Sequence, residues 1–310
     1  MTTLASPLKR RGGKAKLAPW IISHLPPHES YVEVFAGSAP VLFRKPRPKD
    51  KEVYNDFDRL WHNSLTVVRD HPDELADLLD ATLYSRSEYD DCRAKIKAWR
   101  RGELQILPVE LARCHFVDVR QSVGSDGGWS YCRTDGPSRP RLWARLPNEL
   151  QRFARRLMGV FIDCQDYKDI LRAYDDERTT FYLDPPYCGV EKKYYAVNRE
   201  EGFDHQALRD AVEPLQASVV VSYYKSDYVI NLYKGFEVAE KQVSTKIGDV
   251  ARQDTEILLI RPSAWARQRW RRPRMVDLFP DIHPQTTDAP GEPLVRLPES
   301  AALQQRRCAG

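Results

Sequence analysis

Residues 179–188 read Thr-Thr-Phe-Tyr-Leu-Asp-Pro-Pro-Tyr-Cys. The short run from Thr179 to Leu183 has the character of a buried strand, and Pro185 and Pro186 forbid its continuation. The strand therefore ends on Asp184-Pro185-Pro186-Tyr187. That places a carboxylate, a fixed backbone carbonyl and an aromatic ring together at a strand's carboxyl end, where open α/β sheets bind their ligands. At average composition the tetrapeptide arises by chance on the order of once per thousand chains of this length, so coincidence explains it poorly. The plain alternative is a Pro-Pro strand terminator with a packed tyrosine.

A second signal lies far upstream. Residues 31–43 read Tyr-Val-Glu-Val-Phe-Ala-Gly-Ser-Ala-Pro-Val-Leu-Phe: a hydrophobic strand, a small-residue turn, and a helix opened by Pro40. Gly37 lets the backbone approach a ligand closely, and the helix amino terminus beyond it favours negative charge. Residues 52–58, Glu-Val-Tyr-Asn-Asp-Phe-Asp, then place an acidic residue at the end of a second strand, roughly 20 residues after the turn, where nucleotide-binding folds grip ribose hydroxyls. Asp56 and Asp58 can equally be turn formers, and Asp166 can cap a helix over residues 167–173. Glu33, inside the first strand, is either paired or near the ligand.

Bulk properties narrow the class. The chain has 310 residues and a net charge of +4, enough for one large domain and a smaller one. No apolar stretch approaches the roughly 20 residues that span a bilayer, and the basic first 30 residues lack the apolar core of a secretory signal. Six scattered cysteines, Cys92, Cys114, Cys132, Cys164, Cys188 and Cys308, form no Cys-x-x-Cys pair. They argue for free thiols in a reducing compartment, and against a structural zinc site. From Arg93 to Arg156 fourteen basic residues face six acidic ones, so the rest of the chain is net acidic. This window holds a helix-like segment over 88–101 and an irregular one over 122–131. Arg133, Arg139, Arg141 and Arg145 then follow, interleaved with Trp143. Clustered arginines with aromatics grip phosphates and read base edges.

Taken together these motifs resemble the Dam-type (D12 class) DNA adenine-N6 methyltransferases. The resemblance runs over most of residues 9–262 and is weakest in the middle third. It implies an α/β, Rossmann-like sheet that uses S-adenosylmethionine (SAM), with an inserted, mainly helical and loop target-recognition region. The expected divisions are 1–74 and 158–262 for the catalytic domain, 75–157 for the insertion, and 263–310 for a basic, then Pro-rich, mostly disordered tail. Gly12 and Lys14 resemble the family's first motif, which implies that Lys14 contacts the SAM carboxylate, although it could be one cation of a solvated basic arm. Phe35 and Gly37 fall in the methionine-binding loop. Asp56 matches the residue on the SAM ribose, Phe57 the residue beside its adenine, and Asp166 the acceptor of the adenine amino group. Asp184, Pro185, Pro186 and Tyr187 fall on the catalytic motif. Ala39 stands where many members carry a second glycine. Alanine does not favour positive φ, so the turn is expected to be right-handed there, or SAM binding weakened.

The chemistry suits these residue types. The lone pair of an exocyclic adenine amine is delocalised into the ring. Asp184 and the Pro185 carbonyl, each accepting one N–H, would free that lone pair, while Tyr187 stacks on a base taken out of the duplex. Double-stranded DNA is the expected partner, held by Arg133, Arg139, Arg141, Lys192 and Lys193, with 188–202 as a loop over the site. No metal or membrane is expected. A cognate restriction enzyme is an open candidate partner, and the expected location is the cytoplasm, or a host's if the gene is viral. RNA adenine-N6 methylation and a noncatalytic DNA-binding role remain as alternatives. Cytosine-N4 methylation is a weaker one, and Asp184 with the basic insertion counts against glutamine methylation.

Overall fold

Every residue from Thr179 to Leu183 is buried in a strand, and the strand stops at Asp184 as the two prolines require. The computed structural model describes residues 4–8, 14–122, 128–130, 138–187, 202–247 and 250–270. The chain divides into two units, Met1–Arg272 and Pro273–Gly310, and the second lies outside the described residues.

The described residues form seven strands: β1 (Ser30–Glu33), β2 (Glu52–Asn55), β3 (Val160–Asp163), β4 (Thr179–Leu183), β5 (Ser218–Tyr224), β6 (Glu237–Ile247) and β7 (Val250–Arg261). They make one sheet in the order β3-β2-β1-β4-β5-β7-β6. The first five in that order run parallel. β7 is antiparallel to β5, and β6 to β7, the hairpin expected near residues 236–260. The strand order reverses between β1 and β4, so the sheet is Rossmann-like and its ligand crevice opens above that pair.

The helices are α1 (Ala18–Ser23), α2 (Pro40–Arg44), α3 (Arg59–Asp70), α4 (Pro72–Asp80), α5 (Arg86–Arg100), α6 (Pro108–Gln121), α7 (Arg139–Trp143), α8 (Leu150–Leu157), α9 (Tyr167–Ala173), α10 (His205–Val212), α11 (Asp227–Leu232) and α12 (Ala264–Arg267). Side chains alternate across a strand, and the core divides accordingly. Tyr31, Tyr54, Tyr182 and Val220 point into one buried layer with α1 to α6 and α8. Val32, Val53, Phe181 and Val219 point into the other, with α9 to α11. From the segment 75–157, Tyr89, Phe116 and Trp143 share the layer of Tyr31 and Tyr54. Within that segment Arg113 joins Glu88 on α5 to Glu110 on α6, at 2.5 and 2.6 Å.

One expectation changes here. Ala39 is left-handed, with φ 49° and ψ 48°. That conformation costs about 1 kcal/mol for an L-residue. It is held by packing in the core, where Ala39 is fully buried, and by the turn's own bond from its N–H to the Ala36 carbonyl at 2.7 Å. At the start of the tail segment Ser263 caps α12, its hydroxyl accepting from Ala266 N. Residues 271–310 lie outside the described residues. No described helix is long and apolar enough to cross a membrane.

Candidate active site

The two sequence signals are brought together by strand pairing. β1 and β4 are neighbours, with Glu33 opposite Tyr182, and Val34 N donates to the Tyr182 carbonyl at 3.0 Å. The turn after β1 and the Asp184 segment after β4 therefore leave the sheet side by side. On the other flank Ala36 N donates to the Asn55 carbonyl at 3.0 Å, bringing the end of β2 alongside. The Asn55 side chain clasps the next strand end too, donating to the Gln165 carbonyl at 3.1 Å and accepting from Gln165 N at 2.9 Å. Four carboxyl-terminal strand ends thus line one crevice.

The turn is built around Gly37, whose φ of 49° suits glycine. Its N–H donates to Asp56 Oδ2 at 2.7 Å, and its carbonyl accepts from the Tyr54 hydroxyl at 2.9 Å. Asp56 also accepts from Asp58 N at 2.8 Å. Asp58 has a different task, capping α3 and pairing with Arg100 at 2.8 Å. Phe57, just after β2, is 56% exposed. Phe35 lies against Tyr167 and Phe203. Asp166 is exposed and caps α9, accepting from Lys168 N at 2.9 Å.

At the end of β4, Asp184 Oδ1 accepts from the Ser222 hydroxyl at 2.9 Å and faces the Lys14 ammonium at 2.8 Å. Pro185, Pro186 and Tyr187 are buried. Among the described residues no hydrogen bond reaches the Pro185 carbonyl. The Tyr187 ring lies edge-on to Tyr224 at 4.8 Å, its hydroxyl donates to Glu256, and Lys14 Nζ stands 4.6 Å over its centroid. Burial, then the Asp184 and Glu256 charges, hold the phenol far above its ordinary pKa, so it stays a neutral donor. Lys14 is also 3.5 Å from Glu256.

Of the residues singled out from sequence, Phe35, Gly37, Asp56, Phe57, Asp166 and Asp184 to Tyr187 follow the carboxyl ends of β1 to β4, and Lys14 joins them through Asp184 and Tyr187. Arg139 and Arg141 are exposed on α7, which is anchored by Trp143 Nε1 donating to the Thr82 carbonyl at 2.8 Å. Gly12, Arg133, Lys192 and Lys193 lie outside the described residues, as do the loop from 188 to 201 and Cys132, Cys188 and Cys308. Cys92, Cys114 and Cys164 are free thiols. Among the described residues no three His, Cys, Asp or Glu side chains gather as a metal site.

Sequence reasoning did not single out Ser222 or Glu256 as members of the site. A polar residue inside an otherwise apolar strand, Ser222 after Val219 to Val221 and Glu256 before Ile257 to Ile260, is the signal that both offered. Glu33 proves to be paired. Its carboxyl accepts from the Tyr31 hydroxyl at 3.0 Å and from Leu42 N at 2.8 Å, which ties β1 to the helix after the turn. Burial pushes its pKa up to about 8, with Asp184 and Glu52 adding to the rise and the two hydrogen bonds opposing it. The unfolded chain releases this proton near the ordinary 4.5. The stability it contributes is thus full below that pH, declines between the two values and is lost above pH 8. Glu33→Gln is expected to flatten this decline and to melt above the wild type at pH 8.5. Melting curves from pH 5 to 9 that run parallel for the two proteins would contradict the assignment.

A family model, D12 class N6 adenine-specific DNA methyltransferase, matches residues 11–247. A search of curated proteins finds no match. Among solved structures, a precorrin-6y C5,15-methyltransferase from Geobacter metallireducens GS-15 is 9% identical, over 80% of this chain and 87% of that one, with a TM-score of 0.34. An rRNA methylase from Streptococcus thermophilus is also 9% identical, over 81% of this chain and 97% of that one, with a TM-score of 0.28. The family match spans both strand-end motifs and the insertion between them, and on it the chain belongs to the D12 class of N6 adenine-specific DNA methyltransferases.

Proposed function

We propose that this chain transfers a methyl group from SAM to the N6 amine of an adenine flipped from duplex DNA at a specific site, with Asp184 as the acceptor that orients the amine. The observation that carries the reading is the 3.0 Å bond from Val34 to Tyr182, which seats the glycine turn beside Asp184 at the sheet's switch point.

The donor set fits SAM. Asp56, already bonded to the Gly37 amide, offers a carboxylate to the ribose hydroxyls, and the exposed Phe57 ring offers a face to the adenine. Asp166 keeps one carboxylate oxygen on α9 and can turn the other to the adenine amine. Lys14 would serve the SAM carboxylate after leaving Asp184. The cofactor's contribution is an electrophilic methyl on a sulfonium sulfur. The protein's contribution is positioning, which supplies up to roughly 7–11 kcal/mol in well-oriented systems. Asp184 takes one amine N–H and the Pro185 carbonyl the other, which localises the nitrogen lone pair. The buried prolines fix both acceptors, and Tyr187 presents a π-face to the base.

Arg139 and Arg141, exposed on an anchored helix, fit phosphate contacts from the insertion. Replacing both by Ala is expected to weaken DNA binding about 10-fold and to lower the salt slope by about 2. Unchanged affinity and slope in a salt titration would move the DNA surface elsewhere. In this reading the chain acts in the cytoplasm, a host's for a viral gene, and a cognate restriction enzyme is the partner it admits. The test is nucleoside mass spectrometry of unmethylated genomic DNA and structured RNA, each incubated with the protein and SAM. N6-methyladenine in DNA supports the reading, methylated RNA alone replaces the substrate, and no product in either removes it.

A further inference from the structure

The Lys14 ammonium stands where the proposed chemistry needs free space. It lies 2.8 Å from Asp184 Oδ1 and 4.6 Å over the Tyr187 ring. It thus engages both the acceptor of the target amine and the ring on which the base would stack. Clearing the site means displacing a cation that is only 5% exposed, and a buried ammonium stripped of its partner is strongly unfavourable. A second carboxylate is already in place. Glu256 on β7 is 2% exposed, lies 3.5 Å from Lys14 Nζ and accepts the Tyr187 hydroxyl. One cation is shared by two carboxylates, and one of those two also fixes the aromatic ring.

We propose that Glu256 is a positioning residue for methyl transfer: it holds Lys14 when the target amine takes Asp184, and it keeps the Tyr187 ring in place as the base enters. This rests on the reading of Asp184 as the amine's acceptor. Its charge is the working feature. Without it Asp184 is the remaining carboxylate beside Lys14 among the described residues, and the acceptor is cleared only as far as the SAM carboxylate draws the ammonium away. Glu256→Gln keeps the size of the side chain and an oxygen for the Tyr187 hydroxyl but removes the charge. Glu256→Asp keeps the charge on a shorter stem.

The experiment is a double-mutant cycle on single-turnover methyl transfer at saturating SAM and DNA, read by nucleoside mass spectrometry, with SAM affinity measured by calorimetry. Glu256→Gln is expected to slow transfer about 30-fold, a coupling within the range seen for contacting charged groups, with SAM affinity kept within about threefold. Glu256→Asp should fall between the two. In a Lys14→Gln background the same Glu256→Gln change should cost less than about threefold, because Glu256 then has no cation to hold. An equal loss in both backgrounds would reduce Glu256 to a structural member of β7, and a wild-type rate for Glu256→Gln would overturn the proposal outright. If Glu256→Gln fails to fold, Glu256→Asp in the two Lys14 backgrounds decides the matter on the same criterion. A wild-type protein that methylates nothing would remove the Asp184 reading itself, a different result from an active wild type with an indifferent Glu256.

Discussion

Asp184→Ala is expected to lower methyl transfer by about 100- to 1,000-fold, the scale on which single pre-organised groups act in active sites. The expectation follows from what surrounds the carboxylate. Pro185 and Pro186 restrict the chain on one side, and the Ser222 hydroxyl holds Oδ1 from β5 at 2.9 Å. The group is therefore aimed before substrate arrives. Removing it leaves the Pro185 carbonyl as the only acceptor of the pair, and the nitrogen lone pair returns to the ring. Gly37, Asp56 and Phe57, the residues proposed to face SAM, belong to other strand ends, so SAM affinity should change little. A single-turnover assay by mass spectrometry, beside a calorimetric titration of SAM, checks both halves. Near-normal turnover in the variant would show that the amine is oriented by something else.

The largest expected effect on stability is at Arg156, at the end of α8. Its guanidinium makes a fork with Glu52, at 2.6 and 2.8 Å, and donates to the Leu42 carbonyl. The two side chains are 11% and 3% exposed. This one residue ties the last helix of the insertion to β2 and to the end of α2. Arg156→Ala leaves a buried carboxylate whose remaining cation, Lys45, is 3.9 Å away, at a cost of roughly 3–5 kcal/mol. For a domain of this size that lowers the melting temperature by about 10 °C. Arg156→Leu combined with Glu52→Gln should recover part of the loss, because no uncompensated charge is then buried. Thermal and denaturant melts measure both, and a loss under about 1 kcal/mol for Arg156→Ala would mean that water reaches Glu52.

The parts of this enzyme that were legible in its sequence are those governed by local rules. Thr179 to Leu183 had to be a strand and had to stop at Pro185, since proline neither donates to a ladder nor accepts a helical interior. Gly37 marked a tight turn, Pro40 a helix start and Asp166 a cap, and each is found so. The alternation of strands and helices implied a mostly parallel sheet, and the family's motifs, in order, carried the activity.

What local rules do not reach is anything set by partners distant along the chain. Ala39 reads as right-handed by its own preference, yet its burial in the core holds it left-handed, because buried contacts outweigh about 1 kcal/mol of backbone strain. Lys14 reads as one cation of a basic arm, or as a ligand of SAM. Only the folded sheet brings it to Asp184 and Glu256, 170 and 242 residues away. By itself the sequence determined the strand, its stop and the residue types of the chemistry. The tertiary structure alone decided which charges share the site, since a buried charge is set by the neighbours the fold supplies and not by those beside it in the chain.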